Sequence, residues 1–196
     1  MEMLALTDVV RFTHIFSVAV GFGAAFFADF TALSGMRKPV SRSILDTLHT
    51  SHGLVWKALI GMWITGLVMI FIRTDFALAN FSPKLFSKLF TVSVLTINAF
   101  LIGHFAMPIV KKCLGVPLSS LSLRTKLTLG AIGAISSASW VMAMAMGVSK
   151  VLAKSGWDVF VELLPFGYIA SVAGALVVMV WLHMLDRMPE PTPNAV

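Results

Sequence analysis

Residues 89–110 read LFTVSVLTINAFLIGHFAMPIV, a stretch without a single aspartate, glutamate, lysine or arginine. Coiled as an α-helix at about 1.5 Å per residue, it reaches roughly 33 Å. That matches the roughly 30 Å hydrocarbon core of a bilayer, where every backbone polar group must find its partner within the segment. Four further runs meet the same condition: Val9 to Leu33, Gly53 to Ile72, Leu127 to Val148 and Pro165 to Leu185. The helix breakers fall between them, in SGMRKPVSR, NFSPK, GVPLSS and KSGWD. The expected fold is an all-α integral membrane protein, a bundle of five transmembrane helices. Residues 1–188 form one domain, and 189–196 a Pro-rich, disordered tail.

Composition agrees with this reading. The 196 residues are 58% hydrophobic and 12% charged, with a mean hydropathy of +0.90, which excludes an ordinary soluble domain. The net charge of +6 sits mostly in short segments between apolar runs. There it serves topology and anionic headgroups rather than a nucleic acid. With the N-terminus outside, Arg37, Lys38, Arg42, Lys111, Lys112, Arg124, Lys126 and Arg187 lie inside, against Arg11, Arg73, Lys84, Lys88, Lys150 and Lys154 outside. The balance favours N-out, C-in in a bacterial cytoplasmic membrane. The opening MEMLALTDVVRF lacks a basic start and a small-residue cleavage site, so the first run is expected to be retained. SRSILDTLHTSH has Ile44, Leu45 and Leu48 at helical spacing and is expected to run as a helix into the second span. Cys113, the one cysteine, excludes an internal disulfide and reads as an inert interfacial thiol.

Ionisable groups in hydrocarbon cost several kcal/mol unless paired, so each one is a functional lead. On the N-out arrangement, Asp29, His49, His52, Lys57, His104 and His183 collect at the inner side from four spans, with His14 near the outer face. Histidines at one depth on facing helices are what a membrane b-type haem requires, one axial nitrogen from each side of the macrocycle. His52, His104 and His183 meet that depth condition, although depth does not fix azimuth. Room for a porphyrin comes from small residues: Gly21 and Gly23 in GFGAA of span 1, and Gly130, Gly133, Ala134 and Ser137 in span 4. The same residues also suit close helix packing. Each histidine has a plainer role too. His49 and His183 could snorkel to water, His52 could be solvated at a helix start, and His14 could be a structural hydrogen-bonder. A bond to Asn98 or a serine would satisfy His104. Asp29 and Lys57 are expected to form an ion pair between spans 1 and 2. The methionines, including MAMAM at 142–146, read as packing filler. No Walker-type loop, HExxH pair or nucleophile elbow is present, which turns attention from side-chain chemistry to a cofactor.

VVRFTHIFSVAVGFGAAFF and SPKLFSKLFTVSVLTINAF resemble bacterial membrane protoporphyrinogen oxidases and copper-resistance D-like membrane domains. The shared pattern is a histidine near the start of the first helix, a glycine patch after it, and a lysine just before the third apolar helix. The resemblance implies haem association and activity at His14 and Lys88, which share the outer side on the N-out arrangement. A fifth span and the histidines His52, His104 and His183 depart from the pattern.

Three functions follow as expectations. The first is a b-type membrane cytochrome, holding one haem by two of His52, His104 and His183, or two haems with the second near His14. The second is porphyrinogen oxidation at His14 and Lys88, as the resemblance implies. The third is a cofactor-free transporter or accessory subunit whose inner histidines bind a metal or relay protons. Short loops leave little soluble mass, so a redox partner protein or self-association is expected alongside the bilayer.

Overall fold

The computed structural model describes residues 2–186, and the tail expected at 189–196 lies outside them. The fold is all-α. Its five long helices are α1 (Glu2–Ser34), α2 (Arg42–Thr74), α3 (Pro83–Lys112), α4 (Leu123–Val148) and α5 (Trp157–Leu185). All five are long and apolar enough to cross a membrane. Each contains one of the expected spans and extends beyond it, because a helix continues into polar flanks as long as its own hydrogen bonds are made. The segment SRSILDTLHTSH joins span 2 without a break, and Ile44, Leu45 and Leu48 pack in one apolar cluster.

Serines set three of the helix starts. Ser41, Ser82 and Ser122 each accept the backbone N–H three residues on, and Pro83 follows Ser82 where its missing N–H does no harm. The helices associate as two hairpins, α1 with α2 and α4 with α5, joined by α3 packing on α4. Outer faces stay apolar and bare: only 11% of the apolar window of α1 and 6% of that of α5 is buried, as expected for helices that face lipid. At the end of the bundle that holds both, the α1–α2 and α3–α4 loops pair. Val40 N–H donates to the Val116 carbonyl at 3.1 Å, Gly115 N–H to Val40 at 2.9 Å and Ser119 N–H to Met36 at 2.8 Å. This loop end is opposite the end that carries the start of α1.

The central core is built around Trp140, Leu59, Leu95, Met62 and Ala99. Gly21 belongs to this core: a Cβ there would collide with the Trp140 ring and lie 2.8 Å from Ala58. Its absent side chain therefore makes room for an indole, not for a porphyrin. Gly23 has open space around it. Asn98 is 2% exposed, and its Nδ2 donates to the Ile132 carbonyl of α4 at 3.0 Å, so it ties α3 to α4.

Helix α3 is not uniform. Residues Ile102–Ala106 form a π turn in which the Met107 N–H reaches back five residues to the Ile102 carbonyl. Pro108 explains the position. It has no N–H to offer the His104 carbonyl, and its ring would crowd that carbonyl in a regular α-helix, so the turn before it widens.

Candidate functional site

The histidines divide between the two ends of the bundle, and their hydrogen bonds decide what each can do. A neutral imidazole has one N–H and one lone pair, and only the lone pair can ligate a metal or take a proton.

His14 of α1 reaches across to α2. Its Nδ1 lies 2.9 Å from Thr65 Oγ1, and the Thr65 hydroxyl spends its own hydrogen on the Gly61 carbonyl at 2.6 Å. Thr65 must then accept from His14, with the Met62 carbonyl as a further acceptor for the ring. This network assigns the hydrogen to Nδ1 and leaves the Nε2 lone pair unengaged. Small residues bring the two helices to this distance. Gly66 sits against the imidazole, with 3.6 Å from its would-be Cβ to Cε1, and Gly61 sits against Ser17.

Lys88 of α3 lies within electrostatic range of the His14 ring. It is half-buried and, among the described residues, has neither a hydrogen bond nor an ion pair. Arg73, at the end of α2, and Lys84, one turn before Lys88, act on it electrostatically. Lys84 donates to the Ser149 carbonyl at 2.9 Å. The salt bridges among the described residues are Asp8–Arg11, Arg37–Asp186 and Lys126–Asp186, so none neutralises Arg73, Lys84 or Lys88. A histidine with a free nitrogen thus stands near Lys88, with Lys84 and Arg73 behind that lysine, an arrangement that suits an anionic ligand.

The other three candidate ligands are used differently, and the structure does not bring them together as one site. His52 Nε2 accepts the Trp56 indole N–H at 3.1 Å, and the ring lies against Gly103 of the π turn, 2.8 Å from its would-be Cβ. His104, the next residue, is exposed and stacks on Phe100 with 5.5 Å between ring centroids. His183 Nδ1 lies 3.3 Å from the Lys126 ammonium, which can only donate, so the His183 lone pair is taken as well. Among the described residues no three of His, Cys, Asp and Glu are grouped to hold a metal ion.

Lys126 is the residue that depth and composition missed. Its side chain is 0% exposed and bonds Asp186 Oδ2 at 2.9 Å, while Asp186 Oδ1 takes Arg37 Nε at 3.1 Å. This cluster fastens α4 and the α1–α2 loop to the end of α5. The expected Asp29–Lys57 pair does not form. Lys57 is exposed, and Asp29 Oδ2 instead accepts the Ser137 hydroxyl of α4 at 2.8 Å. Across α1 and α2, Gly21 faces Ala58 and Ser17 faces Gly61, so Lys57 stands level with the Gly21 turn, about 10 Å along the helix from Asp29. Thr65 and Asp186 carry no sequence signal of their own, and Ser137 reads only as one more small residue, since each is defined by a partner 51 or more residues away. Cys113, between α3 and the following loop, is buried, and burial pushes its thiol up from the ordinary value.

The fold and site together define a five-helix bundle of membrane-spanning proportions with a basic, histidine-containing site at one end. Comparison with family models, with curated proteins and with solved structures finds no match.

Proposed function

We propose that this chain is a b-type haem-binding redox protein of a bacterial cytoplasmic membrane, with its haem held at His14 rather than between the histidines of the loop end. The observation that carries the reading is the His14 imidazole itself: Nδ1 fixed to Thr65 and Nε2 free. Ligand histidines are oriented in this way by a bond from the nitrogen that does not meet the metal. The residues present fit a haem. His14 Nε2 would take the iron, and Lys88, with Arg73 and Lys84 behind it, would receive the propionate carboxylates. Bound there, the group supplies one-electron chemistry that the side chains lack. The resemblance to membrane protoporphyrinogen oxidases singles out the same two residues, His14 and Lys88. His52 and His183 fit less well, because each would have to give up a hydrogen bond before its lone pair could reach a metal.

The orientation that best fits the loop charges is N-out, C-in, which sets the His14 site near the outer face. A redox partner or a second copy supplies or removes the electron. An absorption spectrum of the protein purified after expression with ample haem, with a dithionite difference, tests the proposal. A Soret band and a reduced α band are expected, and their absence overturns it.

The same pair supports a second reading, porphyrinogen oxidation, because an anionic tetrapyrrole substrate asks for the same cations. Rescue of a strain lacking its own oxidase by the wild type, lost in Lys88→Ala and kept in His183→Ala, would favour the enzyme. No rescue by the wild type would exclude it.

A further inference from the structure

The loop-end half of the bundle holds a cavity of about 500 Å³, distinct from the His14 site. It lies eleven or more residues further along α1, about 16 Å at the helical rise. Two of its walls have the same construction. Ala25, Ala28, Asp29 and Ala32 recur at i, i+3, i+4 and i+7 on α1, and Gly130, Gly133, Ala134 and Ser137 recur at the same spacing on α4. Small residues at this spacing normally let two membrane helices close on each other. Here α1 and α4 touch only lightly, and the cavity stands between them. Interiors are packed to crystal-like density, so a space of this size is built to be filled.

Its polarity says by what. Most of the lining is apolar, and the mouth opens on the outside of the bundle, where the lining residues Phe26 and Phe30 of α1 and Val178 of α5 are exposed. The occupant therefore arrives from the lipid. A slot between two walls of small residues admits a flat ring. Asp29 provides the anchor: Oδ2 is held by Ser137, while Oδ1, 3.8 Å from the would-be Cβ of Gly133, has no hydrogen-bond partner among the described residues. A carboxyl oxygen in an apolar site favours a donor over a second acceptor.

We propose that this cavity is a binding site for a lipid-soluble hydroquinone, its planar ring between α1 and α4 and one hydroxyl donated to Asp29 Oδ1. The site stands whether or not His14 takes a haem, and binding is read without the Soret band. The test is anaerobic equilibrium dialysis of tetramethylhydroquinone against the full chain in phosphatidylcholine nanodiscs. Wild type is expected to bind saturably. Asp29→Leu removes the acceptor and is expected to weaken binding by about five- to tenfold, the equivalent of one hydrogen bond. Gly133→Leu, whose Cβ would sit in ordinary contact with Asp29 Oδ1 and meet nothing closer, fills the slot and is expected to abolish binding while the thermal midpoint stays or rises. No saturable binding by wild type overturns the proposal. So does unchanged binding in Gly133→Leu, or tetramethylbenzene, which has no hydroxyl, binding as tightly as the hydroquinone.

Discussion

Each end of the bundle buries a lysine near a histidine, and the two ends treat the pair in opposite ways. At the loop end, Lys126 is wholly enclosed and compensated, with Asp186 on one side and the His183 lone pair on the other. At the other end, Lys88 is half-buried and uncompensated, beside an imidazole whose lone pair is free. A buried cation with its counter-charge in place is a closed account of the local electrostatics and serves to hold helices together. A buried cation without one keeps an unmet demand for an anion, and that demand is the mark of a site. Identical residue types therefore divide into structure and function by what already satisfies them.

The contrast can be broken most sharply with the histidines. His14→Ala is expected to remove haem completely, while His183→Ala leaves the Soret band at wild-type intensity; the reverse result would exchange the roles of the two ends. Next come the charges. Asp186→Asn strands Lys126 in an enclosed site and is expected to destabilise the fold by about 3–5 kcal/mol. Lys88→Met, with no partner to strand, is expected to leave the midpoint unchanged or raise it. Chemical denaturation in detergent reads both, and equal losses would show Lys88 to be structural. Thr65→Val deprives the His14 N–H of its hydroxyl acceptor. It is expected to weaken haem retention by about 10–100-fold, the usual effect of losing a partner behind a metal ligand, and titration of the apoprotein with haem measures it. The smallest effect concerns Cys113. Its raised thiol holds less thiolate at any pH near 8 than a free cysteine does, so maleimide labelling of the folded protein should begin at higher pH and return to the ordinary profile on unfolding.

The five helices were legible in the sequence because length and hydropathy act along the chain, the one direction a sequence records. Position along a helix was legible for the same reason, and His52 does lie against Gly103, the neighbour of His104. Azimuth was not. One residue turns a helix by about 100°, enough to set Gly103 against His52 while His104 faces away. Asp29 met Ser137 of α4 rather than Lys57 of α2, which faces the Gly21 turn of α1 instead, so there the register of the two helices was also illegible. Lys88 rested on the resemblance, and His14 on its depth as well. The Thr65 hydroxyl that explains the orientation of His14 lay fifty-one residues away and could not be seen.

The widened turn at Ile102–Ala106 changes what kind of residue His104 is. A π turn is an α-helix that has absorbed one surplus residue, with the chain on either side keeping its facing. Leu95 and Ala99 before the turn and Val110 after it all remain buried. His104 and Phe105, both exposed within the turn, are the natural surplus. Deleting either one should keep both flanks in phase and leave Pro108 to kink the shortened helix, whereas a deletion at Thr96 would swing everything beyond it out of phase. On that view the imidazole that looked most expensive in the sequence occupies the one place in α3 where the chain can be shortened by a residue.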